Sequence, residues 1–160
     1  MATITKLGLQ NPANQLGSTP YGNVTAFRYI LKTVASGAVE GGDSTAAVAS
    51  GDTVKIGLLP AGFRLIDSEI VVKTGMTATI TAKVGFAYAD GVDSTAVPQD
   101  DDFFGTGITV ATAGRYRNAT SNTSVTLPKE AWLTLTTAVA ANAKASELEI
   151  IVFAINEGVA

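Results

Sequence analysis

An all-β fold, a single antiparallel β-sandwich of jelly-roll-like form with an extended N-terminal arm, is predicted by three features of this 160-residue chain. Apolar residues recur at every second position in several segments, which is the period of a half-buried strand. Gly, Pro, Asn and Asp interrupt those segments at short intervals, leaving about seven to nine strands. A helical stripe at i, i+3, i+4 is almost absent. The length suits one domain with a core that needs no staples.

Residues 1–23 read as the arm, and residues 24–160 as the sandwich domain. Asn11-Pro12, Gly17-Ser18, Pro20 and Gly22-Asn23 break any regular element within the arm. A segment of this composition cannot bury itself. It is expected either to be disordered or to lie along another surface, with Ile4, Leu7, Leu9, Leu16 and Tyr21 as its anchors.

Residues 25–34, with Phe27, Tyr29, Ile30 and Val34, have the aromatic and β-branched content of a first strand. Residues 35–51 are small and glycine-rich and read as a long loop, with a short helix over residues 45–50 as an alternative. Val54, Ile56 and Leu58 then alternate with Thr53, Lys55 and Gly57. Leu59-Pro60-Ala61-Gly62 turns the chain, and residues 63–73 return as the other member of a strand pair. Ile80, Ala82, Val84, Phe86 and Tyr88 share one face of the most regular strand in the chain.

Residues 89–102 read as an acidic loop, leading through Phe103-Phe104 into a weaker strand at residues 107–112. Residues 115–122 fit either a strand or a loop. Leu127-Pro128-Lys129-Glu130 turns into a strand over residues 131–137, and residues 138–146 connect it to the last strand. There Leu148, Ile150, Val152 and Ala154 alternate with Glu149, Ile151, Phe153 and Ile155. Its second half is apolar on both faces, so it is either central or at a subunit contact.

The inventory of reactive groups is short. The chain has no histidine and no cysteine. Imidazole bases, thiolate nucleophiles, disulfides and His or Cys metal sites are therefore excluded. Serine is plentiful, but the usual triad cannot be assembled without histidine. No catalytic residue and no cofactor is expected, and the protein is not read as an enzyme. The net charge is −3, with Lys and Arg scattered, so nucleic acid is not an expected partner. No apolar run approaches the roughly 18 residues that cross a membrane. The first residues lack a basic stretch followed by an apolar one, so synthesis in a cytoplasm is expected.

Three constellations invite a functional reading. Asp90, Asp93, Asp100, Asp101 and Asp102 offer hard oxygen ligands of the kind calcium takes. The EF-hand spacing is missing, however, and neighbouring aspartates usually stay solvated, so no metal site is assigned. Arg115 and Arg117 flank Tyr116 and fall on one side of an extended segment. They read as a solvent face, or as ion-pair donors to a neighbouring subunit. Trp132, the single tryptophan, reads as a packing residue, or as a platform on which a sugar stacks.

The segment Asp52-Thr53-Val54-Lys55-Ile56-Gly57-Leu58-Leu59-Pro60-Ala61-Gly62-Phe63-Arg64-Leu65-Ile66-Asp67 resembles one seen in small structural proteins of tailed-bacteriophage heads. Val84-Gly85-Phe86-Ala87-Tyr88-Ala89-Asp90-Gly91, Asp102-Phe103-Phe104 and the strand around Glu149 to Ile155 are similar to the same group. The likeness covers residues 50 to 155. It implies a head decoration, or cement, protein: a β-sandwich that binds the outside of an icosahedral capsid, often as a trimer, and stiffens the shell.

The expected partners are then the major capsid protein and further copies of the chain, and the expected place is the virion exterior after synthesis in the host cytoplasm. The arm anchors become capsid-attachment candidates. Ile151, Phe153, Ile155, Arg115 and Arg117 become subunit-interface candidates. The competing expectation is a carbohydrate- or receptor-binding module of a fibre or cell surface, built around Trp132.

Overall fold

A computed structural model of the chain describes residues 24–157. The arm anchors Ile4, Leu7, Leu9, Leu16 and Tyr21 lie outside the described residues. Nine strands follow in order: β1 (Val24–Thr33), β2 (Thr53–Leu59), β3 (Phe63–Thr74), β4 (Thr81–Tyr88), β5 (Asp100–Ile108), β6 (Gly114–Arg117), β7 (Val125–Thr126), β8 (Ala131–Ala138) and β9 (Ser146–Asn156). No helix occurs among the described residues.

The strands pair as one long antiparallel hairpin that has been rolled up. β1 pairs with β9, β2 with β8, β3 with β6 and β7, and β4 with β5. Rolling sends successive pairs to opposite layers. Sheet 1 has the order β1-β9-β3-β6, with β7 also on β3, and sheet 2 has the order β2-β8-β4-β5. That is a jelly roll: two layers, antiparallel throughout, with the first and last strands side by side.

The core lies between the layers because β1, β4 and β9 alternate between buried and more exposed residues. On β4, Ala82, Val84, Phe86 and Tyr88 face inward and are buried, as their spacing predicts. Leu133 and Leu135 of β8 meet them from the same sheet. Leu148, Ile150, Val152 and Ala154 of β9 face them from the other layer, fully buried. Aromatic rings interlock edge to face, with Phe86 at 5.4 Å from Phe103, and Phe103 at 5.0 Å from Phe104.

At the open side, Tyr29 of β1 reaches across to sheet 2, where its hydroxyl donates to the Leu58 carbonyl at 2.5 Å. Gly57 makes this approach possible, since a Cβ there would sit 2.3 Å from the Tyr29 ring.

Three sequence expectations are corrected. The 59–62 turn does not close a hairpin. It carries the chain from β2 in sheet 2 to β3 in sheet 1, with Gly62 at φ 79°. The acidic segment is not all loop, because β5 already begins at Asp100 and ends at Ile108, where a strand over residues 107–112 was expected to begin. The alternative helix at residues 45–50 is absent. That stretch is held in a loop by Val48 N–H donating to the Gly37 carbonyl and Ala49 N–H donating to Asp52. The short strand β7 leaves too little pattern in two residues to be read in advance.

Candidate functional site

The outer face of sheet 1 gathers most of the residues singled out in the sequence. Ile151, Phe153 and Ile155 of β9 point outward and are half-buried. Arg115 and Arg117 of β6 lie on the same face, with Tyr116 between them half-buried against the core. β1 contributes Val24, Ala26, Arg28, Ile30 and Lys32, which alternate with the inward Phe27, Tyr29 and Leu31. β3 contributes Arg64, Ile66, Asp67, Glu69 and Val71.

The cross-strand register divides this face into two ends. Phe153 lies opposite Ala26 on one side and Asp67 on the other, and Ile155 lies opposite Val24 and Arg64. This end is apolar, with Ile66 completing it. Ile66 faces outward because a bulge between Leu65 and Asp67 places two successive residues on the same side.

The other end is ionic. Arg28 pairs with Glu149, and Lys73 bridges Glu147 at 3.0 Å and Glu149 at 3.1 Å. Arg115 donates to Glu69 at 2.6 Å, while the Arg117–Asp67 pair at 2.8 Å lies beside Phe153 and borders the apolar end. Arg64 and Glu157 close the border at 2.7 Å. Every charged group of the face therefore finds its counter-ion within the chain. Sequence reasoning missed Val24, Ala26 and Ile66. Val24 lies one residue ahead of the expected strand, and the bulge puts Ile66 on the same side as its neighbour Asp67.

The ion pairs set an acid response. Hydrogen bonds from Arg28, and then from Lys73, hold the Glu149 carboxyl down to about 2 from its usual 4.5. Glu147 and Glu157 are lowered as well, chiefly by Lys73 and Arg64 respectively. A carboxylate whose pKa is depressed by folding contributes stability above its unfolded value, and this contribution is lost as pH falls through the folded one. The expected result is a Glu149→Gln variant whose unfolding midpoint changes less than that of the parent between pH 4.5 and about 2. Parallel titration of the two midpoints checks this.

The acidic residues separate into two groups. Asp90 pairs with Lys129 at 2.7 Å, and Asp93 accepts the backbone N–H of Gln99 at 2.7 Å. Asp100, Asp101 and Asp102 keep carboxylate oxygens within 4.8 Å of one another at the start of β5. Asp100 accepts from Asn122 at 3.1 Å and from the Asp102 N–H at 3.0 Å, while Lys83 stands 3.4 Å from Asp101. The neighbouring Asp100 carboxyl and partial burial raise the pKa of Asp102.

Trp132 lies on the outer face of sheet 2, opposite Leu58, at one end of a groove of about 600 Å³. The Lys55 ammonium sits 5.7 Å from its ring centroid, and the ring is half-buried. The ring face is thus engaged in a cation–π contact within the chain rather than left bare for a sugar.

No protein-family model matches the chain. No curated protein matches it either. Solved structures do. A chain of the structure titled "Capsid of Ralstonia phage GP4" superposes with a TM-score of 0.60 at 20% identity, over 87% of this chain and 87% of that one. A chain of "Cyanophage Pam1 capsid asymmetric unit" superposes with a TM-score of 0.57 at 16% identity, over 93% of this chain and 99% of that one. The chain shares the fold of these two phage capsid chains almost from end to end.

Proposed function

We propose that this chain is a structural protein of a bacteriophage head, which decorates the exterior of the icosahedral shell as a homotrimer and stiffens it. The observation that carries this reading is the fold likeness to chains from two phage capsid structures, over 87% and 93% of this chain and with high coverage of theirs. A partial match would point to a shared module. Coverage of this extent points to the same kind of object.

Composition supports the reading. A chain without histidine or cysteine, whose buried residues are overwhelmingly apolar, is equipped for a structural role rather than for turnover. In this reading the arm, residues 1–23, attaches the sandwich to the major capsid protein through Ile4, Leu7, Leu9, Leu16 and Tyr21. Many copies on one lattice convert weak single contacts into firm attachment through effective concentration.

The test is rebinding of purified protein to undecorated shells. The full chain is expected to coat them. A chain lacking residues 2–22 is expected to keep its fold, because the core is closed by residues 24–157, and to lose shell binding. Coating by the shortened chain at full strength removes the arm from the mechanism. Failure of the full chain to coat any shell rejects the decorating role.

A further inference from the structure

We infer that the apolar end of the outer face of sheet 1 is the surface on which a second copy of this chain docks, and that this contact gathers the arms of the associated copies. The inference deepens the reading above and rests on it for the arm's role.

The first ground is the shape of the chemistry. Val24, Ala26, Ile66, Ile151, Phe153 and Ile155 form one continuous apolar area across β1, β9 and β3. Val24 is 47% exposed and Ile66 is 38% exposed. Charged pairs border this area on β3, with Asp67, Glu69 and Arg64 each tied to a partner. An aromatic anchor within an aliphatic centre and a polar rim is the composition of a protein–protein contact. β9 explains why such a residue run exists at all. Its inner face is spent on the core, so Ile151, Phe153 and Ile155 are apolar for some other reason.

The second ground is charge, which selects the occupant. The face carries Arg28, Lys32, Arg64, Lys73, Arg115 and Arg117 against Asp67, Glu69, Glu147, Glu149 and Glu157, all in ion pairs within the chain. It is close to neutral, so copies of it that converge about a common three-fold axis meet without repulsion. The remaining described surface holds Lys55, Lys83, Lys129 and Lys144 against nine carboxylates. Copies that met through that side would bring like charge together. Among the described residues, this face is close to neutral while the rest of the surface carries a net excess of negative charge.

The third ground is where the arm begins. Residue 23 joins Val24, which lies inside the apolar area on the edge strand of sheet 1. Copies that meet there hold the roots of their arms side by side. Attachment of one arm then raises the effective concentration of the next at the same locus.

The Arg115 and Arg117 guanidiniums fall outside the contact. Both are engaged by Glu69 and Asp67, so they border the interface rather than supply its bonds across copies.

The test is the solution mass of the full chain, by light scattering or sedimentation, with three variants. The parent is expected to be an oligomer. Val24→Asp and Ile66→Asp, both at exposed positions, are expected to reduce it to a monomer that still unfolds cooperatively. Ile30→Ser, equally exposed but at the ionic end, is expected to leave the oligomer intact. A monomeric parent overturns the inference, and so does an oligomer that survives both aspartate changes. Loss of shell binding by Val24→Asp with the oligomer intact assigns this face to the shell protein instead, which also overturns it. An oligomer that dissociates as expected but never binds shells in its parent form leaves the inference standing and rejects the decorating role.

Discussion

Replacing Phe86 with alanine is expected to cost about 3–5 kcal/mol, the usual range for a fully buried aromatic. The ring is 1% exposed and stands between the two sheets, edge to face with Phe103 at 5.4 Å and with Tyr88 at 5.9 Å. Its removal takes away transfer energy and leaves a void. Leu133, directly opposite on β8, cannot collapse into that void without breaking its own ladder. Against a total stability of about 5–15 kcal/mol for a domain of this kind, such a loss takes a large share or all of it.

Urea unfolding is the measurement. The midpoint should fall sharply, with an unchanged slope if the native state keeps its compactness. Phe153→Ala makes the internal comparison. It is the same chemical change on the outer face of β9, where the ring is only half-buried, so its cost should be well under half that of Phe86→Ala. Measured in the Val24→Asp background, where the proposed contact is absent, equal losses would mean that the assignment of inner and outer faces is wrong.

That contrast shows where alternation speaks plainly. On β4 each inward residue is separated from the next by one outward residue, without interruption, and all of them are buried as their spacing predicts. β9 reads equally well, including the apolar outer half that marks it as unusual. The pattern fails where the backbone departs from period two. At Ile66 the bulge shifts the register of β3 by one, and the same happens between Lys55 and Gly57 in β2. Nothing in the side chains announces either event.

Asp100, Asp101 and Asp102 mislead for a different reason. Three carboxylates in a row have the composition of a solvated loop, yet they open an edge strand. Asn122 caps Asp100, and Lys83 from β4 faces Asp101. Gly85 lets that edge come close, since a Cβ there would meet the Asp100 carbonyl at 2.1 Å. Such contacts depend on residues distant in the chain, which local periodicity does not contain. Strand order is hidden in the same way. The turn at residues 59–62 is compatible with a hairpin, and only the competition for inward surface sends β3 to the opposite layer.

Asn142→Leu is expected to cost about 2–4 kcal/mol, because each buried polar group left without a partner costs about 1–3 kcal/mol. Asn142 sits in the polar connection before β9, and its local sequence gives no sign of burial. In the fold it is 1% exposed and ties three connections together. Its Nδ2 donates to Thr33 Oγ1 at 3.0 Å and to the Lys144 carbonyl at 2.9 Å. Its Oδ1 accepts from the Thr77 N–H at 3.1 Å and from Thr77 Oγ1 at 3.2 Å. The loop after β1 packs directly onto its backbone, with Gly37 so close that a Cβ would lie 2.1 Å from the Asn142 carbonyl. Leucine fills the volume but leaves the Thr77 N–H without its acceptor.

Asn142→Asp separates volume from bonding more severely. It keeps the acceptor for Thr77 while turning the donor side into an oxygen that faces the Lys144 carbonyl. At neutral pH that places a charge in a buried site with no cation partner, so the loss should exceed that of leucine. Protonation restores one donor. The Asn142→Asp protein should therefore recover part of its deficit relative to the parent as pH falls, because this carboxylate destabilises the fold when charged, whereas that of Glu149 stabilises it. Amide exchange at Thr77 reports the local opening, and unfolding midpoints at pH 7 and pH 4 report the sign. A leucine variant as stable as the parent would show that this end of the sandwich is held by its backbone contacts alone.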